Sequence, residues 1–300
     1  MNRPARTSRP MNRPERSDRP DRSDRPSFRS ERGGRPTNRP AFGARPMNRP
    51  ARAEAPELEM IFGIRPIMEA IEAGKEIDKV LISKDLSGEL SKELKVLLRE
   101  KEIPSQLVPV EKLNRVTRKN HQGILAFISP IEYARLDEIV ASTFEKGEVP
   151  LILILDQVTD VRNFGAIVRT AECAGAHAVV IPSRGAAQIN GDALKTSAGA
   201  LHLVPVCRVN HLFQAVRFLQ ESGIQVIAAS EKTTKSMYEA DLKVPTAFIM
   251  GSEDEGIEAD LIDQADDACM IPLHGKIQSL NVSVAASLML YEAVRQRQNL

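Results

Sequence analysis

The sequence has few cysteines, no long apolar run and no common metal-binding motif. Its three cysteines, Cys173, Cys207 and Cys269, are widely spaced in apolar surroundings, which excludes a disulfide scaffold and a CxxC zinc site. We therefore expect three buried thiols in a reducing compartment. No apolar run approaches the length of a membrane span and no hydrophobic signal core opens the chain, so we expect a soluble, cytoplasmic protein without membrane contact.

Lysine is absent from the first 55 residues, where fifteen arginines against six acids give a charge of +9. The whole chain carries +1, so the remaining 245 residues carry −8. A basic segment on an acidic body indicates a polyanionic partner such as RNA. Arg-Pro recurs nine times and aliphatic residues are scarce, so we predict that residues 1–56 are a disordered tail. Two roles stay open for it, contact with RNA phosphates or solubilisation.

Residues 58–130 alternate between short strand and helix patterns, which predicts a small α/β sandwich. The helix over 87–102 is expected to turn Leu90, Leu94, Leu97 and Leu98 inward. A polar linker with one short helix is expected over 131–149. The other expected elements are helices over 63–73 and 110–118 and strands over 77–82, 106–110 and 124–128.

Residues 150–300 contain apolar strands separated by helices, which predicts a mainly parallel sheet buried on both faces. The expected strands are 151–155, 178–181, 203–206, 225–229, 247–250 and 268–271. The expected helices lie near 163–174, 190–200, 210–222, 255–265 and 282–298.

Three of these strands end in loops rich in Gly, Asn or Ser that lead into helices, and ligands bind at such strand ends in open α/β sheets. The loops contain Asn163-x-Gly165-x-x-x-Arg169, Gly251-Ser252-Glu253, and Ser279-Leu280-Asn281. Asn163 and Arg169 are six residues apart, so Arg169 points inward only if the first helical turn is irregular, which Gly165 permits. Ser279 and Asn281 also suit a helix N-cap.

Two other ligand classes are not expected at these loops. Glu253-Asp254-Glu255 is typical of a charged turn before a helix, where the helix dipole favours acids, so we predict no metal site. Gly251 and Gly256 have the spacing of a phosphate-binding loop, but Ile257-Glu258 replace the required Lys-Ser/Thr, which excludes nucleoside triphosphate binding.

The three loops resemble, in order, the motifs of the SpoU class of knotted RNA 2'-O-ribose methyltransferases, a match covering about residues 150–298. The third motif reads Ile271-Pro-x-x-Gly-x-x-x-Ser-Leu-Asn-Val-Ser283. Many relatives have Pro where this chain has Val161, a change that leaves the polar residues in place. The resemblance implies a trefoil knot near the C-terminus, which general rules of chain threading would not predict.

The preceding region, through Gly63-Ile-Arg-Pro-Ile-Met-Glu-Ala and His121-Gln122-Gly123, resembles the ribosomal-protein-like RNA-binding domain of one SpoU branch. This implies an RNA substrate-binding domain over 58–130 and a catalytic domain over 150–300. A cluster of Arg115, Arg118, Lys119 and His121 before the turn is expected to form a phosphate-binding edge.

The resemblance assigns S-adenosylmethionine as cofactor, held by backbone groups around Gly251, Ser252, Ile271 and Leu280. Around the acceptor ribose it places Asn163, Arg169, Glu253, Ser279 and Asn281. Because a guanidinium does not lose its proton, we expect Arg169 to grip the adjacent phosphate and stabilise the developing alkoxide. We expect Glu253 to orient Arg169 and Asn163.

Family members act as homodimers through the C-terminal helix and the cofactor loops. The helix over 282–298 has a broad apolar surface that fits such a contact (Val284, Leu288, Leu290, Ala293 and Val294). The two-domain layout with His121-Gln122-Gly123 resembles the branch of the family that acts on a guanosine of 23S rRNA, which implies such a target here. The alternatives are a tRNA 2'-O-methyltransferase and a non-catalytic RNA-binding or ribosome-assembly factor, the latter disfavoured by the five intact polar groups.

Overall fold

A computed structural model of the chain describes residues 59–298, all of which fall in one compact unit. The described chain folds into a small four-stranded sheet followed by a six-stranded parallel sheet, each with helices packed on it. The predicted α/β class with a mainly parallel sheet is therefore confirmed. The predicted N-terminal tail lies outside the described residues.

The small sheet has the order β1-β4-β2-β3, with β4 antiparallel to β1 and β2, and β3 parallel to β2. Its first strand was not predicted, because three residues carry too short a pattern. The elements in chain order are β1 (Met60–Phe62), α1 (Ile64–Glu72), β2 (Ile77–Ser83), α2 (Glu89–Glu100), β3 (Ser105–Val108), α3 (Val110–Val116) and β4 (Ile124–Ile128).

The helices of the small sheet follow their apolar spacing with one exception. In α1, Ile67, Ala70 and Ile71 share one face and are buried, as predicted. In α2, Leu94 and Leu98 are buried, but the prediction for Leu90 was wrong because its side chain is exposed. Since α2 begins only at Glu89, Leu90 lies in the first turn, one turn before the buried contact at Leu94.

The large sheet has the order β10-β8-β9-β5-β6-β7, and every neighbouring pair in it is parallel. The strand β5 is buried along its whole length, as a central strand covered on both faces must be. The elements are α4 (Leu136–Glu145), β5 (Leu151–Leu155), α5 (Val161–Cys173), β6 (Ala178–Pro182), α6 (Gly191–Thr196), β7 (Val206–Val209), α7 (Leu212–Glu221), β8 (Gln225–Ala229), β9 (Thr246–Met250), α8 (Ala259–Gln264), β10 (Asp267–Cys269) and α9 (Val282–Arg297).

Two apolar cores cover the faces of the large sheet. One contains the buried sides of α5 and α9, and the other contains those of α4, α7 and α8. Because Leu136 and Val140 of α4 belong to the second core, the segment expected as a linker is packed into the large domain. Helices on both faces leave the strand ends as the open edge of the sheet.

The strand predicted over 203–206 was placed three residues too early. A short 3₁₀ turn over Ala200–His202 takes Leu201 into the core instead, and Leu203 after it is 70% exposed. The strand β7 starts only at Val206. The strand order and packing do not test the trefoil knot, which stays a prediction.

Candidate active site

The three loops predicted to bind ligand lie at one edge of the large sheet. They follow β5, β9 and β10, which all run in the same direction because every pairing between neighbouring strands of this sheet is parallel. Their carboxyl ends therefore open on the same side, which is where open α/β sheets bind their ligands.

The first loop is ordered by Asp160, the N-cap of α5. Its Oδ1 accepts hydrogen bonds from the backbone N–H groups of Arg162 (2.8 Å) and Asn163 (2.9 Å). These bonds satisfy two N–H groups that a helix start leaves unpaired. Asn163 is thereby held in the first turn with its side chain at the sheet edge. An Asp before a helix pattern is the sequence signal that could have identified Asp160.

Asn163, Glu253 and Asn281, one from each loop, form a hydrogen-bonded cluster that we call the triad. Asn163 Nδ2 donates to Glu253 Oε1 at 2.8 Å, and Asn281 Nδ2 makes a short hydrogen bond to the same oxygen. Asn281 Nδ2 also lies 3.1 Å from Asn163 Oδ1. Glu253 therefore orients both amides, and its Oε1 is fully used as an acceptor.

Asn281 also caps α9, as its place at the helix start predicts, in addition to its hydrogen bonds within the triad. Its Oδ1 accepts from the backbone N–H of Ser283 at 3.0 Å and from the Ser283 hydroxyl at 2.5 Å. Ser279 is exposed, with no hydrogen bond to another described residue, so the cap is Asn281 and not Ser279. Ser283 was not singled out from the sequence; its position in the first turn of the capped helix was the available signal.

The second loop needs its glycines for space. A Cβ on Gly251 would lie 2.1 Å from the carbonyl carbon of Gly256, and Gly256 has a φ of +75°. Ser252 and Gly256 exchange two backbone hydrogen bonds of 3.0 and 3.1 Å, which close the turn and project Glu253 from it. Asp156, at the end of β5, accepts from Glu258 N at 2.8 Å, and burial raises the pKa of its carboxyl group.

The third loop, residues 271–280, combines exposed apolar side chains with backbone N–H groups that have no acceptor among the described residues. Leu273, Ile277 and Leu280 are exposed, and Ile277 keeps 79% of its surface open. Among the described residues, no backbone hydrogen bond is made by the N–H groups of this loop. Exposed apolar side chains beside free backbone donors and acceptors fit an adenosine, which needs apolar contact for its base and hydrogen bonds for its edge.

Arg169 is not brought into the triad. The helix α5 runs unbroken from Val161 to Cys173, so the irregular first turn that would point Arg169 inward is not present. Gly165 serves close packing instead, since a Cβ there would lie 2.8 Å from Thr196 Cβ and 2.9 Å from the Ala193 carbonyl oxygen on α6. Arg169 is exposed and makes no hydrogen bond or ion pair with another described residue.

Other predicted features have mixed outcomes. His121 is buried. Its Nδ1 accepts a hydrogen bond from Gly123 N at 3.0 Å, and its Nε2 lies 2.9 Å from Asn114 Oδ1. His121 therefore holds a turn together and was wrongly placed in a phosphate-binding edge. Cys173 is exposed, contrary to the expectation of three buried thiols, because α5 turns it to solvent.

Within residues 59–298, no group of three or more His, Cys, Asp or Glu side chains is arranged to hold a metal ion. No helix in the same range has the length and apolar character needed to cross a membrane.

Both parts of the chain match known protein families. Residues 150–291 match the SpoU rRNA Methylase family, and residues 60–134 match the domain described as RNA 2'-O ribose methyltransferase substrate binding. The chain is 33% identical to YacO of Bacillus subtilis, named as a TrmH-family tRNA/rRNA methyltransferase, over 80% of this chain and 96% of the relative. A TrmH-family relative from Staphylococcus aureus is 36% identical over 79% of this chain and 96% of its own length.

A solved structure similar to this chain is the SpoU methyltransferase AviRb from Streptomyces viridochromogenes, in complex with the cofactor AdoMet. It is 26% identical, with a TM-score of 0.52, over 80% of this chain and 91% of AviRb.

Proposed function

The chain belongs to the SpoU family of RNA methyltransferases, also named TrmH, and we propose that it methylates a ribose 2'-hydroxyl of RNA with S-adenosylmethionine as donor. The observation that carries this proposal is the triad, in which the three motif loops meet through Asn163, Glu253 and Asn281. Residues 58–130 act as the substrate-binding domain and residues 150–300 as the catalytic domain.

The loops around the triad are suited to hold the donor. Backbone groups of Gly251, Ser252, Ile271 and Leu280 would bind it, since the tight turn at Gly251 exposes main chain and the third loop has unpaired N–H groups. The donor supplies an electrophilic methyl group on a sulfonium, and no metal is needed for its transfer. The work left to the protein is to orient the ribose and to stabilise the charge that develops on its oxygen.

The triad positions the acceptor. Glu253 and Asn281 hold the Asn163 amide, so its second Nδ2 hydrogen is fixed in direction and available to the ribose at no cost of reorganisation. The side-chain polar groups of Asn281 are taken up by Glu253, Asn163 and Ser283, so Asn281 acts by keeping this arrangement in place. Ser279, which has no hydrogen-bond partner among the described residues, is free to bind a ribose hydroxyl. Glu253 thus positions the two asparagines. The expectation that it also orients Arg169 has no support, because Arg169 makes no hydrogen bond or ion pair with a described residue.

Arg169 stabilises the alkoxide that forms as the 2'-hydroxyl gives its proton to an RNA phosphate or to water. A guanidinium stays protonated and so acts by charge and not as a base. Its lack of a partner among the described residues leaves it open to a phosphate of the substrate. Arg169 precedes Thr170, whose hydroxyl accepts from Ser287 of α9 at 3.2 Å, so it lies beside the helix expected at the dimer contact.

The protein acts as a homodimer through α9. Val284, Leu288 and Tyr291 recur at the spacing of one helical face and are all exposed, although Leu290 and Ala293 lie in the core. An exposed apolar stripe of this kind fits a contact with a second copy. Light scattering at micromolar concentration should give a dimer mass for the full chain and a monomer mass for Leu288→Asp; a monomeric wild-type protein would contradict the proposal.

The target is a guanosine of 23S rRNA, supported by the match to the SpoU rRNA Methylase family together with a substrate-binding domain. The names of the relatives include both tRNA and rRNA, so tRNA is the second candidate. Ribose methylation should be mapped on both RNAs from a deletion strain and from strains complemented with wild-type protein or Asn281→Ala. A missing 23S rRNA methyl group restored only by wild type supports the proposal, a change confined to tRNA supports the alternative, and no change indicates a non-catalytic factor.

A further inference from the structure

A cleft of about 1150 Å³ lies between the two sheets. One wall is formed by the loop after β6 and the end of β7, and the other by the start of β2, by α2 and by the segment leading through β3. Its volume exceeds the roughly 300–1,000 Å³ of typical small-ligand pockets. The cleft is therefore large enough for a segment of a polymer.

The cleft carries an excess of unpaired positive charge. Five Lys and Arg side chains line it. Arg208 pairs with Asp78, and the other four form no ion pair with a described residue: Lys79, Lys95, Arg99 and Arg184. Of the two acids in the lining, Asp78 is engaged by Arg208 and Tyr133, which leaves Glu102 alone. This concentration stands out because the chain beyond residue 55 carries a net charge of −8.

An anion in the cleft would find cations that the protein itself does not neutralise. Burial lowers the pKa of Lys79, and the charge of Lys112, which lies outside the lining, lowers it further, whereas Asp78 raises it. Structural cations are normally matched by carboxylates, so an unmatched set facing one cavity is typical of a site for a polyanion.

The two walls of the cleft are joined by a set of contacts among Arg208, Tyr133 and Asp78. The guanidinium of Arg208, on β7, lies 4.1 Å from the ring centre of Tyr133 and donates to the Ile77 carbonyl oxygen at 3.2 Å. The Tyr133 hydroxyl donates to Asp78 Oδ1 at 2.9 Å. Since Arg208 and Asp78 neutralise each other and Arg208 stacks on the Tyr133 ring, this contact sets the width of the cleft and takes no part in binding.

The cleft leads towards the triad. Arg184 follows β6, and β6 pairs with β5, whose carboxyl end leads to Asn163. Neighbouring strands are about 4.8 Å apart, so the cleft begins one strand away from the candidate active site on the same edge of the sheet. A polymer that runs from the cleft along this edge would approach the proposed methyl acceptor.

We propose that this interdomain cleft binds the phosphate backbone of the substrate RNA next to the methylated nucleotide. This rests on the proposed function and adds the catalytic sheet, through Arg184, to the surface that the substrate-binding domain provides. The Tyr133 ring is covered by Arg208, so the cleft offers charge without base stacking. The binding is therefore independent of RNA sequence and sensitive to salt.

The test compares two full-length triple variants that remove the same charge. The cleft variant is Lys95→Gln/Arg99→Gln/Arg184→Gln, which leaves half-buried Lys79 in place. The control is Lys92→Gln/Lys101→Gln/Arg217→Gln, whose three side chains are exposed and lie outside the cleft. Each protein is titrated with a labelled short stem–loop RNA over a range of salt concentrations, and S-adenosylmethionine binding serves as the folding control.

The slope of log K against log salt should become shallower in the cleft variant by about 0.7–0.9 for each RNA phosphate that is no longer neutralised, whereas the control keeps the wild-type slope. If wild type methylates 23S rRNA from the deletion strain, KM for that RNA should rise in the cleft variant, with little change in kcat. Equal slopes in the cleft variant and the control would overturn the proposal. Binding decides the role of the cleft, and methylation by wild type decides the proposed function, so the two failures are distinguishable.

Discussion

The triad beside β5 and β9 and the cleft beside β6 and β7 differ in whether their polar side chains are paired within the protein. At the β5–β9 end, Asn163, Glu253 and Asn281 are bonded to one another before any ligand arrives. Beside the β6–β7 end, the cleft is lined by Arg184 of this edge and by Lys79, Lys95 and Arg99 of the small sheet and α2, and these four cations form no ion pair with a described residue. The difference indicates that the first end is preorganised to position a reacting group, whereas the second attracts a polyanion by charge.

The largest effect is expected from breaking the triad at Asn281. Asn281→Ser keeps a side chain that caps α9 but removes the Nδ2 donor that bonds to Glu253 and Asn163. Methyl transfer should fall by about 10²–10³, as when one preorganised donor is removed from an active site. The measurement is single-turnover methyl transfer, normalised to the folded fraction.

Asn281→Ala separates catalysis from capping. It should lose the same activity and, in addition, about 0.5–2 kcal/mol of stability, because the cap on α9 is gone. Full turnover per folded molecule in the serine variant would show that Asn281 is only a cap.

Arg169→Ala should slow methyl transfer by a similar factor of about 10²–10³ without affecting stability or donor affinity. The side chain makes no hydrogen bond or ion pair with a described residue, so its removal leaves the folded chain unchanged. Arg169→Lys should recover part of the rate, because it restores the charge without the planar fork. Arg217→Ala, on α7 away from the site, is the control; equal rates in Arg169→Ala and this control would remove Arg169 from the mechanism.

Much of the large domain could be predicted from sequence because its strands are buried on both faces. Runs such as Leu151–Leu155 and Gln225–Ala229 are apolar enough to be recognised without knowing their neighbours. The strand β7 was misplaced because Leu203 has the composition of a strand, although it lies exposed after a 3₁₀ turn. The helix α4 was underestimated because most of its polar residues face solvent, and its buried side holds Leu136, Val140 and the polar Thr143.

The site was predicted as a set of residues but not as a geometry. Asn163 and Asn281 are 118 positions apart, and their bond depends on how three loops are aligned by the sheet. The role of Gly165 was misjudged for the same reason, since its close neighbours on α6 are distant in sequence. The cleft had no local signal, because it depends on how Arg208, Tyr133 and Asp78 join the two domains.

Gly165→Ala tests whether the triad depends on the approach of α5 to α6. Alanine favours a helix over glycine by about 1 kcal/mol, but overpacking costs about 1–3 kcal/mol. The new Cβ would lie 2.9 Å from the Ala193 carbonyl oxygen, and a backbone atom cannot rotate away, so the steric cost should prevail. Urea unfolding should show a net loss of stability and transfer assays a lower rate as Asn163 shifts; a stabilised, fully active variant would show that the helices have room.

The smallest effects concern the thiols, which report on each end of the sheet separately. Burial raises the pKa of Cys207, on β7, to about 12 and that of Cys269, on β10, to about 11, whereas Cys173 is exposed. At pH 8 the thiolate fraction is about one in a thousand for Cys269 and about one in ten thousand for Cys207, and burial blocks access as well. One thiol should therefore react rapidly with DTNB in the native protein, and three in urea.

The raised pKa values of Cys207 and Cys269 predict that the folded protein loses stability at alkaline pH. Because folding raises both pKa values above the unfolded value of about 8.5, the folded state holds more protons, and stability should fall as pH rises through about 8.5 towards 11.

Ala134, next to Tyr133, pairs with Cys207. Tyr133→Ala should therefore speed the reaction of Cys207 and leave that of Cys269 unchanged, measured by mass spectrometry of labelled peptides. If the labelling of both thiols is accelerated equally, the variant has loosened the whole sheet, and the contact of Tyr133 with Arg208 and Asp78 does not stabilise the β7 side separately.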